Sequence, residues 1–194
     1  MSDQRSYGEF PVNGGLHDSL DMCWWLRPDR LEHDWKDVSE VANFIADYLA
    51  ASAASTDELV LRQLRDSASY VVNELVENAV KYCADDFIQA SSGADDDHWT
   101  FAISHGSPAE TVAGLEEFLE RLQASSAEEL MIEQVERNFE LGSESGSGLG
   151  LVTIIADHGA IMAWQIVPNG GRCMVHTAAR LPTKPTFCDW NGAG

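Results

Sequence analysis

From Ser55 to Cys83 the chain reads "STDELVLRQLRDSASYVVNELVENAVKYC". Val72, Leu75, Val76, Ala79 and Val80 recur at helical spacing, one apolar stripe on a long helix with Ser55 as its N-cap. Directly afterwards the period changes. "DFIQASSG" and "HWTFAIS" have the pattern of two strands, joined by the turn "GADDD". A long helix must bury its stripe, and paired strands come next in the chain. Such a chain is driven towards helices packed on a sheet.

The other segments agree. "DVSEVANFIADYLA" opens with a capping box, Asp37 with Glu40, and continues at helical spacing. "SPAETVAGLEEFLERLQ" places Ser107 at an N-cap, Pro108 at the first helical position and Glu110 three residues after the cap. "SSAEELMIEQVERNFE" is a further capped helix, and "LVTIIADHG" a short one ended by Gly159. "AIMAWQIVPNGGRCMVHTAARL" reads as a β-hairpin turning at "PNGG". The expected class is α+β, a two-layer α/β sandwich whose mainly antiparallel mixed sheet carries helices on one face. Strands in adjacent pairs exclude a doubly wound parallel sheet.

Residues 1–30 form an N-terminal arm, polar and Gly-rich to His17, with a possible first strand in "SLDMCWWLR". Residues 31–182 form the main domain and 183–194 an irregular tail. In a strand, adjacent Trp24 and Trp25 face opposite sides. One then enters the core and the other marks a partner or dimer surface.

The formal charge is -20, from 32 acids against 12 bases, which argues against nucleic acid and anionic membrane as partners. The start "MSDQRSYGEF" lacks the pattern of a signal peptide, and no apolar run approaches the ~20 residues of a membrane span. A cytoplasmic protein with reduced thiols is expected. Cys23, Cys83, Cys173 and Cys188 contain no CxxC pair, so a structural zinc site is not expected. Asp95 to Asp97 read as a solvated turn, lacking the alternation of an EF-hand. His158, just before Gly159, reads as a complement to a helix dipole.

Two stretches carry chemistry. On the long helix, Glu74, Asn78 and Lys81 share one side at i, i+4 and i+7. A carboxylate can orient or deprotonate an attacking group, an amide oxygen can ligate Mg²⁺, and an ammonium can face phosphate. The same spacing equally serves a solvated helix face. "ESGSGLGLVTII" places Gly146, Gly148 and Gly150 at a helix start, with Ser147 among them and Leu149 opening the helix. Glycines give room and free N–H groups give phosphate binding, though a flexible linker has the same composition. It is neither a Walker A loop, having no lysine, nor a dinucleotide fingerprint, being GxGxG without a preceding strand.

In this order, "NELVENAVKY" and "GSGLGL" resemble the N box and the distal glycine box of the GHKL, or Bergerat-fold, ATPase and kinase superfamily. The resemblance runs from about Asp37 to Leu181. It implies ATP and Mg²⁺ as cofactors and Glu74 as the catalytic or water-positioning carboxylate. Asn78 becomes the Mg²⁺ ligand and Lys81 a phosphate-side base, with Gly146, Ser147, Gly148, Leu149 and Gly150 around the phosphates. Residues 109–140 fall where the family has its ATP lid. Among members the chain looks most like the stand-alone anti-sigma-factor serine kinases of bacterial partner switching. That implies a protein partner, an anti-sigma-factor antagonist or a sigma-like regulator, and allows a homodimer. A non-catalytic interaction module and a detached histidine-kinase catalytic domain are the alternatives. The family's first glycine box, Asp-x-Gly-x-Gly, is altered: in "SHGSP", Ser104 stands for the aspartate, Gly106 matches the first glycine and Pro108 replaces the second. A hydroxyl in place of a charged acceptor costs on the order of 1.5–3 kcal/mol in base recognition.

Overall fold

A computed structural model describes residues 4–9, 16, 17, 20–31, 35–52, 57–140 and 149–183. In chain order these form β1 (Arg5–Tyr7), β2 (Met22–Leu26), α1 (Pro28–Leu31), α2 (Trp35–Ser52) and α3 (Glu58–Tyr82). Then come β3 (Ile88–Ala94), β4 (His98–Pro108), α4 (Ala109–Ala124), α5 (Ala127–Glu140), α6 (Leu149–Ala156), β5 (Ile161–Asn169) and β6 (Arg172–Pro182).

The six strands form one sheet in the order β1-β5-β6-β4-β3-β2. Every pairing is antiparallel, so the mixed sheet expected from the sequence is not what forms among the described residues. The reason is connectivity. β3–β4 and β5–β6 are hairpins, and the long return through α4, α5 and α6 lays β6 antiparallel against β4. The N-terminal strands close the two edges. β1 lies within the stretch expected to be a loose arm; it pairs Arg5 with Ile166 and Tyr7 with Trp164.

The helical layer follows its local signals, with shifts at the ends. Asp57 caps α3, its carboxylate accepting from the backbone N–H of Leu59 at 2.9 Å and of Val60 at 3.3 Å. Ser55, the expected cap, lies outside the described residues. The expected stripe, Val72, Leu75, Val76, Ala79 and Val80, is buried in full. α2 begins at Trp35, so Asp37 and Glu40 fall inside it rather than forming a capping box. The capping box is instead at α5: Ser126 Oγ accepts from the Glu129 N–H at 3.2 Å, and the Glu129 carboxylate accepts from the Ser126 N–H at 3.0 Å. At α4 the cap position is Pro108, which makes no side-chain cap bond. Ser107, the expected cap, belongs to β4 and donates its hydroxyl to the Tyr82 carbonyl at 2.6 Å. Gly170 and Gly171, both at positive φ, turn the β5–β6 hairpin, and Gly159 at φ +62° ends the turn after α6.

Alternation sorts the sheet's two faces. Trp99, Phe101 and Ile103 of β4, with Val175 and Ala179 of β6, enter the core beneath the helices. The opposite face buries small residues, Ala102 and Ala178, under Leu16 and Leu20. Phe101 is fully enclosed in the main core. Phe101→Ala is expected to lower unfolding free energy by about 3–5 kcal/mol in urea denaturation, whereas the exposed Phe87→Ala changes it by less than about 0.5 kcal/mol.

Candidate functional site

The helix α3 carries Glu74, Asn78 and Lys81 along one side. Glu74 and Asn78 are half-buried and Lys81 is exposed, its ammonium 5.1 Å from the centre of the Tyr82 ring. Across from Glu74 lies the first turn of α6. A Cβ on Gly150 would sit 1.8 Å from Glu74 Oε2 and 2.5 Å from its Cδ, so the absence of a side chain at 150 is what admits the carboxylate. The N-box-like helix and the glycine-rich helix start therefore meet at Glu74 and Gly150. Leu149 opens α6 and is half-buried. Gly146, Ser147 and Gly148 lie outside the described residues.

Burial is the main cause that pushes the Glu74 carboxyl above its ordinary range, and the Glu77 charge adds to it; a bond from Tyr70 works the other way. Tyr70 sits one turn before Glu74 and also engages Thr153 of α6. Its phenol is pushed up, first by burial and then by the Glu74 charge. His158 stacks on Tyr70, ring centres 4.7 Å apart, and its Nδ1 lies 3.1 Å from Ser67 Oγ. Its contacts thus run to α3, beyond the dipole role its position suggested, and burial lowers its pKa. Tyr70, Thr153 and Ser67 were missed in the sequence. The i−4 spacing of Tyr70 from Glu74 is the one signal that marks it.

The "SHGSP" residues do not join this cluster. β4 stays paired to β6 through Pro108, with Gly106 opposite Met174, so the segment is strand rather than loop. Ser104 shares its face with Ala102, away from the helices. Its Oγ lies 2.6 Å from His17 Nε2 and 2.7 Å from His176 Nδ1, and His17 Nδ1 in turn bonds Ser91 Oγ. Gly106 faces the same way, and a Cβ there would lie 2.1 Å from Asp85 Oδ2; Asp85 is held by Arg172 at 3.1 Å. His105 is the residue that points under the helices, where burial pushes its pKa down to about 4. Nothing in the sequence marked His17, His176 or Asp85, because their partners are set by register across the sheet.

Asp95 Oδ1 accepts from the N–H groups of Asp97 and His98, which holds its carboxyl below the ordinary range and makes this stretch a turn, as expected. Among the described residues no three His, Cys, Asp or Glu side chains gather as metal ligands, and no helix is long and apolar enough to cross a membrane.

The architecture is similar to that of a chain in the crystal structure of the SiaB–SiaC complex from Pseudomonas aeruginosa. The TM-score is 0.60 at 16% identity, over 84% of this chain and 91% of that one. No family model matches the sequence, and no curated protein matches it. The shared feature is the fold.

The geometry gives two expected outcomes. Unfolded, His105 titrates near 6.5; folded, it stays neutral down to about 4. Below pH 6.5 the unfolded chain therefore binds a proton that the folded chain does not. This contribution to stability is complete above pH 6.5 and falls by about 3 kcal/mol as pH drops towards 4. His105→Gln is expected to flatten that limb in urea denaturation at stepped pH. Glu74, with its carboxyl raised, acts in the opposite sense: acidification relieves its cost, and Glu74→Gln is stabilising at neutral pH. Second, Gly150→Ala must push the Glu74 carboxylate aside. A double-mutant cycle of Gly150→Ala with Glu74→Ala is expected to give a coupling of about 0.5–3 kcal/mol in unfolding free energy.

Proposed function

We propose that the chain is a regulator with a GHKL-type site, of the anti-sigma-factor serine-kinase kind, which binds ATP·Mg²⁺ and phosphorylates or sequesters a protein partner in bacterial partner switching. The observation that carries this reading is the contact of Glu74 with Gly150. It joins the two motifs of the resemblance in one place, with a carboxylate kept half-buried at an energetic cost. The likeness to a chain found in a two-protein complex supports a protein partner.

The residues present fit the phosphate and metal side of such a ligand. The first N–H groups of α6 have no partner within the helix, and Gly150 lets that turn come up against the Glu74 carboxylate. Asn78, one turn after Glu74, offers an amide oxygen to Mg²⁺, and Lys81 an ammonium to phosphate. ATP·Mg²⁺, when bound, supplies the transferable phosphoryl group. Glu74 orients the hydroxyl of a partner serine and accepts its proton. Burial raises its proton affinity above that of an ordinary carboxylate, the direction that makes it a stronger base. Transfer of this kind depends mainly on positioning and electrostatics.

The base side favours a second reading. Ser104 is turned to the opposite face and engaged by two histidines, so it does not stand in for the family's aspartate beside Glu74. A fold kept for partner binding, with a reduced nucleotide site, has that appearance. Calorimetry decides between them. On the kinase reading, ATP binds only with Mg²⁺, Asn78→Ala weakens binding at least tenfold, and Glu74→Ala spares binding while abolishing phosphotransfer to the partner. No heat of binding at millimolar ATP leaves the interaction module.

A further inference from the structure

β1 and β2 are the opposite edges of the sheet, so the chain between Tyr7 and Met22 passes from one edge to the other. Leu16, His17 and Leu20 belong to that passage and lie on the outer face, away from the helices. Leu16 is buried on Ala102 of β4 and Ala178 of β6. Each alanine offers a single methyl, so the apolar hold is small. The polar hold is one series of bonds. His17 Nδ1 bonds Ser91 Oγ of β3, His17 Nε2 lies 2.6 Å from Ser104 Oγ, and Ser104 Oγ lies 2.7 Å from His176 Nδ1 of β6. Ser91 and Ser104 are buried.

The number of protons in the series decides whether it holds. With both imidazoles neutral, each bond has one donor and one acceptor. One added proton costs no bond. On His17, both ring nitrogens donate to the serines and the Ser104 hydroxyl donates to His176. On His176, the ring donates to Ser104, Ser104 to His17, and His17 to Ser91. A second proton breaks the match. Both rings then donate to Ser104, whose hydroxyl hydrogen loses both of its acceptors in the series. Two cations also face each other across a single oxygen.

The surroundings do little to offset this. In register, Cys23 lies opposite Ser91 and Gln165 opposite His176, and Gln89 follows on the same face of β3. Among the described residues, the charged groups of this face stand at its ends. Asp21 accepts from the Ala94 N–H at 3.4 Å, Asp85 pairs with Arg172, and Arg180 lies against His98 and near Asp95. Asp18, next to His17 in sequence, lies outside the described residues. His105, on the other face, feels a charge on His176 and itself stays neutral down to about pH 4. Burial holds His176 below the ordinary histidine range, so the seated arrangement loses stability as pH falls below 6.5.

We propose that His17 and His176 form a pH-sensitive latch: they seat the N-terminal passage on the sheet while they share at most one proton, and release it when both are charged. Release uncovers the flat face of Ala102, Ala178, Ser91 and Ser104. The latch is independent of the nucleotide reading.

Solution NMR of the full chain, with labelled Leu, Ala and Val methyls, tests it between about pH 7.5 and 4.5. The two imidazoles are expected to take up protons in two separate steps. Contacts from the Leu16 methyls to Ala102 and Ala178 survive the first step and vanish with the second. Contacts of Val71 and Val76 in the main core persist throughout, which separates release from unfolding. His176→Asn still bonds Ser104 but takes no proton, so its Leu16 contacts hold to the acid end of the range. Ser104→Ala breaks the series and weakens them at every pH. Loss of the contacts with the first proton, or their persistence with both histidines charged, overturns the proposal. So does joint loss of the Val71 and Val76 contacts, or release at the wild-type pH in His176→Asn. The wild-type titration decides even where a variant does not fold.

Discussion

The burial of α3 against the helix-facing side of the central strands sets everything else in position. Ala68, Val71, Val72 and Val76 are fully removed from water, and all are small or β-branched. Short side chains let the helix axis come close to the sheet, and stiff ones hold it in one rotation. That rotation leaves Tyr70, Glu74 and Asn78 at the margin of the stripe, half in and half out. A slip of the helix by one residue would take Glu74 from Gly150 and put a charge into the core. The candidate site therefore inherits its geometry from packing that involves none of its own polar atoms.

The two faces of the sheet solve different problems. The helix side is a large apolar core. The other side is nearly flat, built from Ala102, Ala178, Ser91 and Ser104, and needs little volume to cover it. Among the described residues, Leu16, His17 and Leu20 lie over it. The bonds linking Ser91, His17, Ser104 and His176 satisfy polar groups that this cover would otherwise strand. With neutral imidazoles the donors and acceptors match in either direction along the series, so the cluster is satisfied by more than one arrangement of protons.

What could be read from the sequence was what short-range physics decides. The α3 stripe, the "PNGG" turn and the capped helix of "SSAEELMIEQVERNFE" each depend on residues a few positions apart, and each appears where the spacing puts it. The encounter of "NELVENAVKY" with "GSGLGL" was legible only as a resemblance, yet Glu74 and Gly150 do touch. What depends on distant partners was not legible. β1 has only three residues and is a strand because β5 accepts it. The assignment of Ser107 and Pro108 to a helix start obeyed local rules, but pairing with Cys173 and Arg172 extended the strand over both. The same register turned Ser104 away from the helices, which no local pattern states.

The direct passage from β4 into α4 has a mechanical consequence. Pro108 is at once the last residue of the ladder with β6 and the cap of α4, and its ring holds φ at -60°. No loop separates the two elements, so α4 is a lever fixed to the middle of the sheet rather than a flap on a tether. A force on α4 reaches β4 and β6 without slack, and motion of the helix must bend the sheet or break its last pairs.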